Sequence, residues 1–185
     1  MLWSHVIVKG KFKIYMLSTY TNFLATSAGA SSGFIGLFFV ALSFAREELS
    51  NGLVRERRII LSGGSFLALF NIFIVSLFSL TGQTKLFSMA CVIMSFVALS
   101  ITYALLSRAI RAGAFSPSSV TRKQSRTFAT VAISLYSAQL VCGISLWRNL
   151  HASWPIEFMV FVIVGLFTSA LMRIWMVMWI PPEKH

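Results

Sequence analysis

Three side chains interrupt long apolar runs: Asn71, Gln139 and Arg173. Each amide offers two N–H donors and an acceptor oxygen, so it can line a site for an ion or small ligand, or pair with another amide. An unpaired amide in hydrocarbon is costly. Asn71 and Gln139 fall near the middle of two different runs, at similar depth. A hydrogen-bonded pair, direct or through serine hydroxyls, would be worth ~0.6–2 kcal/mol. Structural pairing is the expected role, with a polar ligand site as the alternative. Arg173 is the one charge set well inside a run. An arginine at depth marks function by default. It precedes Trp179 by about one and a half to two helical turns, however, so its stem is expected to snorkel to the headgroups.

Other reactive constellations are missing. The chain has no Asp, and Glu157, one residue into the fifth run at its interface, is the one acid near the apolar core. A carboxylate proton relay is therefore not expected. His5, His151 and His185 all lie outside the runs, which removes a bis-histidine haem or a histidine metal cluster. Cys91 and Cys142 form no CxxC motif, so dithiol chemistry lacks its parts. There is no phosphate loop, nucleophile elbow or HExxH. The expectation is a protein with no catalytic residues, no metal and no cofactor.

The elements that hold these residues follow from composition. The chain has 185 residues, is 57% hydrophobic, 14% aromatic and 11% charged, and has a mean hydropathy of +0.79. Soluble domains carry about 25% charged residues, so this chain could not cover a soluble surface. Disorder is excluded by its aromatics and aliphatics, and a disulfide scaffold by its two cysteines. An integral membrane protein remains. A bilayer core needs about 20 apolar residues per helix. Five runs meet that length, at 21–45, 59–81, 86–107, 127–147 and 156–179. Segments such as Phe34-Ile35-Gly36-Leu37-Phe38-Phe39-Val40 do not alternate in polarity, as barrel strands would. The fold class is therefore all-α, a polytopic bundle of five transmembrane spans.

The breaks are Arg46–Arg58, a tight turn at Gly82-Gln83-Thr84-Lys85, a flexible connector over 113–126, the stretch ending in Pro155, and Pro181-Pro182. Residues 1–20 are expected at the interface, anchored by Trp3, Phe12, Tyr15 and Tyr20. A cleaved signal peptide is not expected there. Residues 15–22 are too polar for its apolar segment, and hydrophobicity continues past Ala28-Gly29-Ala30. The chain reads as one membrane domain without repeats or a soluble domain.

Charge supplies an orientation. Sixteen Lys and Arg against five acids give a net +11. Arg46, Arg55, Arg57, Arg58, Arg108, Arg111, Arg122, Lys123, Arg126 and Lys184 fall on one side of a five-span bundle. Lys9, Lys11, Lys13, Lys85 and Arg148 fall on the other. The positive-inside rule then predicts N-out and C-in. Lys9, Lys11 and Lys13 pull the other way and leave the first span's orientation open. Trp147 and Trp154 at one interface, with Trp175 and Trp179 at the other, form the expected aromatic belts. The basic excess reads as topology and attraction to anionic lipid, not nucleic-acid binding. Arg55, Arg57 and Arg58 are the candidate contacts for a protein partner.

The first span carries a ridge of small residues: Ala25, Gly29 and Gly33, with Ser32 and Gly36 beside them. Such a ridge lets another helix approach closely, or lines a pore. Close packing is the expected role, with this helix central in the bundle. The run Ala28-Gly29-Ala30-Ser31-Ser32-Gly33-Phe34-Ile35-Gly36-Leu37-Phe38-Phe39-Val40-Ala41-Leu42-Ser43 resembles a loose group of uncharacterised small bacterial integral membrane proteins. The resemblance covers mainly the first two spans. It implies a bacterial inner membrane and supplies no functional residues. The expected function is a non-enzymatic accessory or regulatory subunit, in a homo-oligomer or a heteromeric complex with other membrane helices. A homo-oligomeric channel or small-solute transporter is the alternative.

Overall fold

A computed structural model describes residues 2–44, 52–111, 119–149 and 154–178. Among the described residues the chain is all-helical: α1 (Leu2–Phe44), α2 (Gly52–Leu80), α3 (Thr84–Arg111), α4 (Ser119–Arg148) and α5 (Trp154–Met178). Each contains a stretch long and apolar enough to cross a membrane: Tyr20–Val40, Ile59–Leu80, Thr84–Arg108, Thr127–Arg148 and Trp154–Met176. The all-helical reading stands, and five helices of this length and apolarity fit a multi-pass membrane protein.

α1, α2 and α4 run well past the bilayer-length segments. The backbone is helical from Leu2, so the expected interfacial residues continue α1 without a break. At 1.5 Å per residue α1 is about 65 Å long, twice a hydrocarbon core. Tyr20 packs against the core; the side chains of Trp3, Phe12 and Tyr15 lie outside the described residues. The connector expected over 113–126 is shorter, because α4 already begins at Ser119. No Gly or Pro follows Pro117 until Gly143, so nothing stops the helix from continuing beyond the apolar boundary. Residues 45–51, 112–118, 150–153 and 179–185, with Trp179 and Pro181-Pro182, lie outside the described residues.

The α2–α3 turn is set by local bonds. The Gly82 N–H donates to Ser79 O at 3.2 Å, and the Thr81 N–H to Phe78 O at 3.4 Å. The Thr81 hydroxyl donates to Phe78 O at 2.8 Å and accepts the Gln83 N–H at 3.3 Å. Gln83 O then accepts the Phe87 N–H at 3.0 Å and starts α3. Gly82 has φ +69°, the left-handed conformation that closes a helix and that a Cβ disfavours. Gly82→Ala is expected to cost about 1 kcal/mol, read as a lowered unfolding midpoint in detergent.

α2, α3, α4 and α5 form a four-helix ring in which each packs on the next and α5 closes on α2. α1 lies outside this ring, packed on α2. Phe39 stands edge-on to Phe66 at 5.6 Å, and Phe34 reaches Phe167 of α5 at 6.3 Å. The ring's interior holds Leu69, Ile72, Phe87, Tyr136, Met159, Ile163 and Leu166, all nearly inaccessible. Outward residues are large and apolar, including Phe96, Tyr103, Phe161 and Trp175, as lipid-facing positions should be. Trp147 and Trp154 are exposed near one end and Trp175 near the other.

The expected central place of α1 is corrected. Its buried face is Leu24, Ser27, Ala28, Ser31 and Phe38, a seven-residue repeat with small residues in the middle that lets α2 approach. Ser31 satisfies its hydroxyl on its own helix, donating to Ser27 O at 2.7 Å and Ala28 O at 3.0 Å. α1 therefore carries two small-residue ridges, and α2 occupies the serine ridge, not the glycine ridge.

Candidate functional site

The ring's interior holds a line of polar groups. At its centre, Asn71 of α2 and Gln139 of α4 face each other diagonally. The Asn71 Nδ2–H donates to Gln139 Oε1 at 2.7 Å, and the Gln139 Nε2–H donates back to Asn71 Oδ1 at 3.1 Å. A second Gln139 donor reaches the Cys91 carbonyl of α3 at 3.4 Å. Three helices are thus tied at one level, and both amides are 1% exposed. The amide atoms are turned to one another and to backbone, which describes a cross-brace better than a ligand cradle. Cys91 and Cys142 are both free thiols and both buried.

Serines add shorter ties. Ser65 of α2 donates to Ala170 O of α5 at 3.3 Å and to its own helix at Leu61 O at 3.0 Å. Ser88 of α3 donates to Gly143 O of α4 at 2.7 Å. At that point a Cβ on Gly143 would meet Val92 Cγ2 at 2.9 Å, Cys91 Cβ at 3.1 Å and Val92 N at 3.2 Å. The α3–α4 contact is therefore close enough to need glycine. Ser95, Ser79 and Thr168 donate to carbonyls of their own helices, which satisfies them where no water is present.

Arg173 turns inward between helices, not outward along the surface of α5 as the expected snorkelling side chain would. Its side chain is 7% exposed and lies between α2, α4 and α5. Nη2–H donates to Phe128 O at 3.1 Å. The guanidinium carbon sits 5.8 Å from the Phe128 ring centre, in cation–π range. Nη1 fills the space a Cβ on Gly64 would take. The Nε–H is buried and has no partner. Missing side-chain volume at Gly64 is what draws the guanidinium inward; hydropathy gives no sign of it.

The ridge of Ala25, Gly29, Ser32, Gly33 and Gly36 faces away from the bundle. All five are exposed. A Cβ on Gly29, Gly33 or Gly36 would meet nothing within 4 Å. On a helix this ridge lies roughly a third of a turn round from the ridge that α2 covers. Arg55, Arg57 and Arg58 fall in the first turns of α2; their side chains lie outside the described residues. No protein family, curated protein or solved structure matches the chain.

Proposed function

We propose that this chain is a non-enzymatic subunit that assembles with other membrane helices, in an accessory or regulatory role, through the glycine ridge of α1. The observation that carries the reading is that ridge, exposed on a helix outside the ring, with open space at Gly29, Gly33 and Gly36. Small residues facing lipid give poor dispersion contact. Against another helix they allow backbones to approach. The central amides of the ring are spent on each other and on backbone, which supports a role in packing over conduction. The proposed setting is a bacterial inner membrane, with α2 and α4 starting on the cytoplasmic side where the basic residues gather. The partners are lipid and other helices, not nucleic acid.

Co-purification from native membranes tests this. Wild type is expected to retain a stoichiometric membrane partner or a second copy. Gly33→Leu is expected to lose it while keeping its own helix content and unfolding midpoint, because nothing stands within 4 Å of the new side chain. Selective solute flux by the purified chain in liposomes, abolished by Gly33→Leu, would replace this reading with a channel.

A further inference from the structure

Among the described residues, the buried guanidinium of Arg173 has donors to spare and no carboxylate beside it. Of its five N–H groups, one is satisfied among the described residues, by Phe128 O. Nε–H has no acceptor although it is buried. Glu157, the described acid of α5, lies in the helix's first turn, at the far end from Arg173. A cation in an apolar setting requires an anion or further hydrogen bonds. The position says which anion can reach it. Arg173 is three residues from Met176, the end of the apolar stretch, or about 5 Å along the helix axis. That is within reach of lipid phosphates. The helix order brings the starts of α2 and α4 to the same end of the bundle, and with them Arg55, Arg57, Arg58, Arg122, Lys123 and Arg126. Such an end concentrates anionic lipid in the adjoining leaflet.

We infer that Arg173, set between Gly64, Phe128 and α5, is the centre of a phosphate site that takes the headgroup of an anionic phospholipid. Phosphate oxygens accept the free guanidinium N–H groups, in the forked geometry that arginine offers and lysine does not. Phe128 holds the planar group by its carbonyl and its ring. Gly64 leaves the room that Nη1 occupies.

Native mass spectrometry and thermal unfolding in neutral detergent test the site, with phosphatidylglycerol, phosphatidylcholine and inorganic phosphate as probes. Wild type is expected to retain one phosphatidylglycerol in the presence of excess phosphatidylcholine, and to unfold at a higher temperature with it. Arg173→Gln is expected to weaken that binding about thirtyfold or more, as loss of a buried charge partner does. Arg173→Lys, which keeps the charge and folds if only charge is needed for folding, is expected to bind with intermediate strength. Combined Arg122→Gln, Lys123→Gln and Arg126→Gln removes surface attraction and is expected to leave the one tight lipid in place. Equal retention of both lipids by wild type would overturn the proposal, and so would retention lost in the triple variant and kept in Arg173→Gln. Stabilisation by inorganic phosphate equal to that by phosphatidylglycerol, and dependent on Arg173, would assign the site to a soluble anion and overturn the lipid.

Discussion

Gly143→Val is expected to destabilise the protein by about 2–3 kcal/mol, the range for forcing volume into a packed core. The effect comes from the α3–α4 approach. A single Cβ at this position already meets Val92 Cγ2 at 2.9 Å and the Val92 backbone nitrogen at 3.2 Å. A backbone atom cannot swing aside as a side-chain end can, so the helices must separate. Separation lengthens the Ser88-to-Gly143 O bond, now 2.7 Å, and draws Cys91 O away from Gln139. The modest gain in helix propensity over glycine is too small to offset this. Unfolding by denaturing detergent measures the loss. Gly33→Leu, a larger insertion on α1, is the control, and it is expected to leave stability near that of wild type.

Asn71→Leu is expected to cost about 2 kcal/mol, because it leaves Gln139 with only the long Cys91 contact. The leucine restores apolar volume but gives Gln139 Oε1 no donor. Gln139→Leu orphans Asn71 in the same way. The double variant removes both amides and is expected to recover much of the loss, since two matched apolar groups leave nothing unsatisfied. The coupling from the double-mutant cycle is expected at ~0.6–2 kcal/mol. A coupling near zero would show that each amide is satisfied independently of the other.

How far these features could be read from sequence depends on what bilayer physics fixes. Five apolar runs gave the number and type of elements, because in hydrocarbon the backbone must bond to itself. Depth along two runs matched Asn71 with Gln139, and the two amides are hydrogen-bonded in the structure. Depth alone could not supply their third partner, since the Cys91 carbonyl belongs to a backbone any residue would provide. Helix ends were less legible. Hydropathy marks where lipid stops, and α4 continues to Ser119 through Thr121, Arg122 and Lys123, which are polar but helix-compatible.

The larger misses concern direction. Gly29 and Gly33 look like the packing ridge because glycine is the smallest residue, yet α2 lies on Ser27, Ala28 and Ser31. Serine is nearly as small and closes its own hydroxyl bond, as Ser31 does, so spacing cannot rank the two ridges. Arg173 lies near enough to the interface to snorkel on length alone. It turns inward because Gly64, on another helix more than a hundred residues earlier in the chain, leaves a space that only tertiary structure reveals. A glycine in an apolar run is ordinary in membrane helices, so Gly64 carried no signal by itself.

The central claim is that α1 presents its glycine ridge to another helix. The most direct measurement is the mass of the assembly extracted from native membranes in mild detergent, compared between wild type and Gly33→Leu at equal expression. The wild-type particle is expected to be heavier than the 20.6 kDa chain by at least one further protein subunit. Gly33→Leu is expected to run as the single chain with an unchanged unfolding midpoint. A wild-type chain that runs alone, or a Gly33→Leu particle of the same mass as wild type, would contradict the claim.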